Sequence, residues 1–246
     1  IQIYYDFSGI IDMANGISAM LGIRLLENFN APYSALSITD FWRRWHMTLA
    51  AWFREYLFLP LELRFRHVKR FRQEIHILLV FLLTGLWHGI ALTYIVWGTL
   101  QGVLMVFEKS RLGSWLRKAP LIFQRAYFLT ALLVSWVIFR SPDMLFALKF
   151  LKRLVIFNED AALWKYPFLA TQPLPVINPS LILAIGIGIL CLLPIRRLWN
   201  RLNERLEPRY ARAGRWLGEF GYLALLAITL LLYASQNYVP AIYAAF

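Results

Sequence analysis

His88 stands inside Gly85-Leu86-Trp87-His88-Gly89, in a run over residues 77–107 that holds no Asp, Glu, Lys or Arg. An ionisable side chain in so long an apolar stretch is costly to keep and marks a functional site by default. Imidazole titrates near neutrality, so His88 suits the work of a general base that takes and returns a proton. A second candidate, His46, ends Trp42-Arg43-Arg44-Trp45-His46. Its arginines suit either of two tasks, placing an anionic donor with stabilisation of developing charge, or anchoring a helix to lipid headgroups. Asp6, Asp12, Asp40 and Glu55 are carboxylates that could orient a histidine, and the sequence does not choose among them. Packing alone, with His88 as an intramembrane hydrogen bonder, is the competing reading.

Other chemistries find little footing. His46 and His88 share no metal-ligand spacing, and the chain has neither a CxxC nor an HExxH motif, so no metal is expected. Gly-x-Ser-x-Gly and P-loop patterns are absent too. The single cysteine, Cys191, lies in apolar sequence, where a thiol keeps its proton and packs. His67 reads as solvated in a basic loop, and His76 as interfacial; neither is assigned a role.

The elements that must position these groups read as membrane helices. The chain is 59% hydrophobic and 16% charged, with a formal net charge of +12 and a mean hydropathy of +0.53. Soluble domains average about 45–50% apolar and about 25% charged. The positive charge falls in blocks between apolar runs, around 64–72, 109–125 and 196–215, the last holding seven arginines. Cytoplasmic loops of membrane proteins are charged in this way, so nucleic acid is not an expected partner and membrane lipid is. The fold class expected is all-α, a polytopic membrane helix bundle.

Along the chain, residues 1–23 read as an apolar segment with close-packing small residues, and 28–32 as a turn. Ser37 to Asp40 fits a capping box opening one helix over 41–56. Trp42, Trp45, Leu49, Trp52, Phe53 and Tyr56 would share its apolar face, and Pro60 would limit it. Residues 77–107 would be one long tilted helix or two helices broken near His88. Gly85/Gly89 and Gly98/Gly102 would let both halves pack closely. Residues 121–139 read as a span interrupted by Arg125, and 144–157 as an amphipathic helix. A proline-rich external loop over 158–179, short spans at 181–195 and 220–233, and a cytoplasmic arginine-rich segment between those spans would complete the chain. The sequence opens without Met, a basic n-region or a cleavage site, so a preceding region is expected to be missing.

Five motifs occur in order: Tyr5-Asp6-Phe7-Ser8-Gly9, Glu27-Asn28-Phe29-Asn30, Thr39 to His46, Trp52 to Tyr56, and Gly85 to Gly89. Together they resemble the membrane-bound O-acyltransferase (MBOAT) family, in its bacterial alginate O-acetylation and teichoic-acid D-alanylation branch. The likeness is dense over residues 4–102 and only topological beyond. It implies that residues 1–246 are the C-terminal portion of a single MBOAT-like membrane domain. It also implies a multi-pass protein of the bacterial inner membrane, enclosing a tunnel. An acyl group, most simply acetyl, would pass from a cytoplasmic thioester such as acetyl-CoA to a polysaccharide acceptor outside, as in alginate biosynthesis. A secreted or periplasmic acyltransferase would be the partner, and no bound cofactor is implied. By the resemblance His88 and His46 are the catalytic pair, with Asp40, Arg43, Arg44, Trp45 and Trp87 around the substrate. Glu62-Leu63 departs from the Gly-Gly of alginate-type members, which leaves the acceptor open. A transporter or channel component using His88 as a proton relay is the alternative, and a non-catalytic scaffold a third reading.

Overall fold

A computed structural model describes residues 2–155 and helical positions at 216, 220, 221 and 223. Every regular element among the described residues is helical. The expected spans and loops beyond residue 157, and Cys191, lie outside the described residues. The chain divides into two compact units, residues 1–25 with 182–246, and residues 26–181.

In the first unit α1 runs Gln2–Met20. It stops where Gly22 turns left-handed at φ 78° and Ile23 N–H reaches back to the Ser18 carbonyl at 2.9 Å. A glycine in that conformation is the usual helix C-terminal signal. Asp12 is exposed and Asp6 half-buried on this helix.

The second unit is built on a helical hairpin. Helices α5 (Arg72–His88) and α6 (Leu92–Lys109) are joined by three residues. So short a link makes them antiparallel neighbours. The expectation of a break near His88 is met, and glycine is the reason. A Cβ on Gly98 would lie 3.0 Å from Gly85 Cα and closer still to the Phe81 carbonyl oxygen. A Cβ on Gly85 would strike the Tyr94 carbonyl, and one on Gly102 would stand 3.2 Å from Leu78 and Phe81. Backbones therefore touch along the seam, as small residues permit.

Against the hairpin lies α8 (Leu121–Arg140), 20 residues and about 30 Å long at 1.5 Å per residue. It is the one helix among the described residues long and apolar enough to cross a bilayer. Arg125, the charge that interrupts it, donates to the carbonyls of Tyr33 and Ala35 at 3.1 and 2.9 Å. Short α7 (Arg111–Lys118) precedes it and amphipathic α9 (Met144–Val155) follows.

The expected helix over 41–56 is instead two. Ser37 caps α2 (Ile38–Trp42), its Oγ accepting Asp40 N–H at 3.0 Å, as the pattern requires. Then the chain breaks, because residues 28–30 take the backbone groups that would have continued it. The Arg44 carbonyl accepts Asn30 N–H at 2.9 Å, and Met47 N–H donates to the Asn28 carbonyl at 3.0 Å. Helix α3 begins only at Met47 and ends at Phe53. The apolar face splits accordingly: Trp42 and Trp45 are buried, whereas Trp52 and Tyr56 are exposed.

Pro60 does not end the helix that follows. Residues Arg54–Phe58 form a wide π-type turn leading into α4 (Leu59–Arg64), where Pro60 occupies the first turn. The wide turn just before it accommodates a residue that has no N–H to give the preceding turn.

His76 also differs from expectation. It is buried on α5, its Nδ1 2.6 Å from Glu62 Oε1, while Arg72 holds Glu62 Oε2 at 2.9 Å. Burial alone would raise the Glu62 carboxyl. The His76 hydrogen bond and the Arg72 guanidinium outweigh it and hold the carboxyl below its ordinary range.

The core that positions the site is aromatic. Phe41 stacks on Trp45 at 5.4 Å, Trp42 meets Phe81 edge-on at 5.1 Å, and Trp136 lies 5.2 Å from Trp45. Two polar anchors orient α2. The Trp42 indole N–H donates to buried Gln101 at 3.1 Å. Buried Glu108 accepts Ile38 N–H at 2.6 Å, Thr39 N–H at 2.9 Å and the Tyr127 hydroxyl at 3.2 Å. A carboxylate at a helix N-terminus meets the unpaired N–H groups and the positive end of the dipole.

Candidate active site

His88 is the last residue of α5. Gly89 ends the helix at φ 153°, its N–H returning to the Gly85 and Leu86 carbonyls. A side chain at Gly89 would meet the Tyr94 ring at 2.9 Å, so the turn that presents His88 needs glycine for both conformation and space.

Rings enclose the imidazole. Trp97 and Phe139 each lie 5.2 Å from it by centroid and nearly perpendicular, Tyr94 lies at 6.2 Å and Trp87 at 4.8 Å. These come from three places: α5 itself, the first turns of α6, and the end of α8. Trp97 is 2% exposed, and its indole N–H has no hydrogen-bond partner among the described residues. A buried donor left in that state is available to an acceptor entering the site.

His46 arrives from the other direction, in the break between α2 and α3. Its backbone is left-handed, φ 46° and ψ 51°, which is uncommon outside glycine and held only where the surroundings impose it. The 28–30 segment does so. Nδ1 of His46 lies 3.2 Å from Asn28 Oδ1, which also receives the Thr48 hydroxyl at 2.5 Å and Thr48 N–H at 3.3 Å. The His46 ring stands edge-on to Trp87 at 6.4 Å. Trp87, 57% exposed, thus has both histidine rings next to it.

Of the residues singled out in the sequence, His46, Trp87 and His88 come together. Asp40 is engaged by Arg44, Nε to Oδ2 at 3.0 Å, and Arg44 also reaches Ser34. Arg43 and Glu55 are exposed, and Trp45 is buried in the aromatic core behind the site. The group that meets His46 Nδ1 is an amide, Asn28, where a carboxylate was expected. Asn28, Tyr94, Trp97 and Phe139 were not singled out. Asn28 alone had a signal, its place in Glu27-Asn28-Phe29-Asn30. No three metal-ligating side chains converge among the described residues. A solvent-facing hollow of about 380 Å³ lies elsewhere, lined by Arg66, Lys69, Arg72 and neighbours in the turn before α5.

A profile of the membrane-bound O-acyltransferase family matches residues 1–146, and this stretch carries both histidines and the hairpin. The chain belongs to the MBOAT family. It is similar to the protein named probable alginate O-acetylase AlgI of Pseudomonas aeruginosa, 35% identical over 213 residues, 85% of this chain and 39% of the relative. A peptidoglycan O-acetyltransferase of Helicobacter pylori is 40% identical over 160 residues, 64% of this chain and 30% of the relative. A teichoic acid D-alanyltransferase of Bacillus subtilis is 38% identical over 124 residues, 46% of this chain and 31% of the relative. The chain therefore spans between about three and four tenths of the length of these MBOAT relatives.

Proposed function

We propose that the protein is an O-acyltransferase of the bacterial inner membrane, a polytopic helix bundle of which residues 1–246 form the C-terminal portion of a single domain. It moves an acyl group, acetyl in the simplest case, from a cytoplasmic thioester to an exported or cell-surface polysaccharide, directly or through a periplasmic acyltransferase partner. The single observation that carries this reading is the meeting of His46 and His88 at the same Trp87 ring, in a chain of this family.

His88 acts as general base. It removes the proton of an acceptor hydroxyl as that oxygen attacks the thioester carbonyl carbon. The C–O bond forms, the C–S bond breaks, and the proton on His88 leaves with the thiolate sulfur. General-base help of this kind contributes about 10²- to 10⁴-fold. The rings around His88 exclude water that would otherwise hydrolyse the donor. His46 holds the acceptor or donor against His88. Arg43, which is exposed, is free to meet an anionic donor, whereas Arg44 is engaged by Asp40.

The test is mass spectrometry of polysaccharide from cells carrying the full-length protein or its His88→Ala variant. The account expects acylation to disappear in the variant at equal protein in the membrane. Acylation at the wild-type level would overturn it, and so would ion flux without acyl product in liposomes.

A further inference from the structure

Asn28 is 9% exposed and does two things at the break before α3. Its backbone carbonyl accepts Met47 N–H at 3.0 Å, which fixes the left-handed turn. Its side-chain amide meets His46 Nδ1 at 3.2 Å, Thr48 Oγ1 at 2.5 Å and Thr48 N at 3.3 Å through one atom.

The chemistry of that shared atom is decided by Thr48. A backbone N–H can only donate, so the atom facing it must be the amide oxygen and not the amide nitrogen. An oxygen there offers only lone pairs to the histidine. His46 Nδ1 must then carry the proton, since two lone pairs at 3.2 Å would repel. In a neutral imidazole one nitrogen holds the proton and the other the lone pair, so a partner fixed on Nδ1 determines the state of Nε2.

We propose that Asn28 is a positioning residue for acyl transfer, its amide oxygen fixing His46 as the Nδ1–H tautomer and placing the lone pair on Nε2. This inference rests on the reading of His46 and His88 as the reacting pair. With Nε2 as an acceptor, His46 receives the hydrogen bond of a second, neighbouring hydroxyl of the acceptor sugar and so holds the reacting hydroxyl, with its own proton free, for His88. The opposite tautomer would present an N–H at the same place and could not accept that neighbouring hydroxyl's proton.

The experiment uses the full-length protein with ¹⁵N-labelled histidine in lipid bilayers. His46 is identified by the signal lost in His46→Gln. At alkaline pH, where imidazole is neutral, the wild type is expected to show His46 Nδ1 protonated and Nε2 bare. Asn28→Ala should move His46 towards the Nε2–H form and lower polysaccharide acylation by about 10- to 100-fold, the usual effect of removing an orienting partner. Asn28→Asp keeps an oxygen on Nδ1 and should restore the tautomer and most of the acylation. If Asn28→Ala does not accumulate, Asn28→Asp and Thr48→Val, which leaves the amide oxygen in place, carry the comparison. A wild-type His46 protonated on Nε2, or an unchanged tautomer in Asn28→Ala, would overturn the clamp. His46→Gln with wild-type acylation would instead overturn the role of His46, while the tautomer spectrum still reports on the clamp.

Discussion

Replacing Gly98 by Ala adds one carbon at the seam of the hairpin that presents His88. That carbon would stand 3.0 Å from Gly85 Cα and Gly85 N, and nearer to the Phe81 carbonyl. All of these are backbone atoms and cannot swing aside as the end of a side chain can. Carbon atoms rest at about 3.5–4.0 Å, so α5 and α6 must part by at least about 0.5 Å. Overpacking of this kind costs about 1–3 kcal/mol. The displacement is carried directly to the site, because Trp97 precedes Gly98 and His88 lies one turn beyond Gly85. A misplacement of about 1 Å can cost about 10²-fold in rate, so a loss of about tenfold or more is expected here. The control is Gly16→Ala on α1, where an added Cβ meets nothing within 4 Å among the described residues. Alanine at an open helical position should stabilise by about 0.5–1 kcal/mol. The assay is thermal unfolding of both full-length variants in detergent, with polysaccharide acylation measured beside it. Equal melting temperatures for Gly98→Ala and Gly16→Ala would refute the close-packed seam.

Two further outcomes follow from the polar anchors. Glu62 has a depressed carboxyl pKa in the fold, so its stabilising contribution is present above its unfolded pKa and fades as pH falls through the folded value. Thermal unfolding across the acidic range should show Glu62→Gln less stable than wild type at neutral pH, with the gap closing on acidification; a gap that does not change with pH contradicts the pairing with Arg72 and His76. Glu108→Gln places an amide NH₂ against Thr39 N–H or Ile38 N–H, donor against donor, and should destabilise by about 1–3 kcal/mol in a denaturation experiment; a neutral result would show that α2 is not held there.

Much of the hairpin is legible in the sequence, because its determinants are local. Gly85, Gly89, Gly98 and Gly102 recur at helical spacing, and Ser37 sits one turn before the group it caps. His88 is legible for a different reason, as an ionisable side chain with no charge near it in the chain. What escapes is whatever depends on pairing across long separations. The break at His46 comes from hydrogen bonds to residues 28–30, which no pattern within 41–56 contains. The same holds for His76, whose carboxylate partner lies 14 residues back, and for Glu108, which reaches across 70 residues to cap α2. The aromatic enclosure of His88 joins Trp97 to Phe139 across two helices that each read simply as apolar. An apolar run around His88 and a Trp-Arg-Arg-Trp-His motif ending at His46 drew attention to each histidine separately; the fold alone brings both to Trp87.

In the proposed mechanism His46 and His88 form one reacting unit. This is tested most directly by the acylation rate of the full-length protein with His46→Gln, His88→Gln and both together. Groups that act as a unit are non-additive, so the second loss adds little to the first. A fall of about 10²- to 10⁴-fold is expected for His88→Gln, with the double variant no slower than the slower single one. A His88→Gln enzyme with wild-type rate, or single losses that multiply in the double variant, would contradict it.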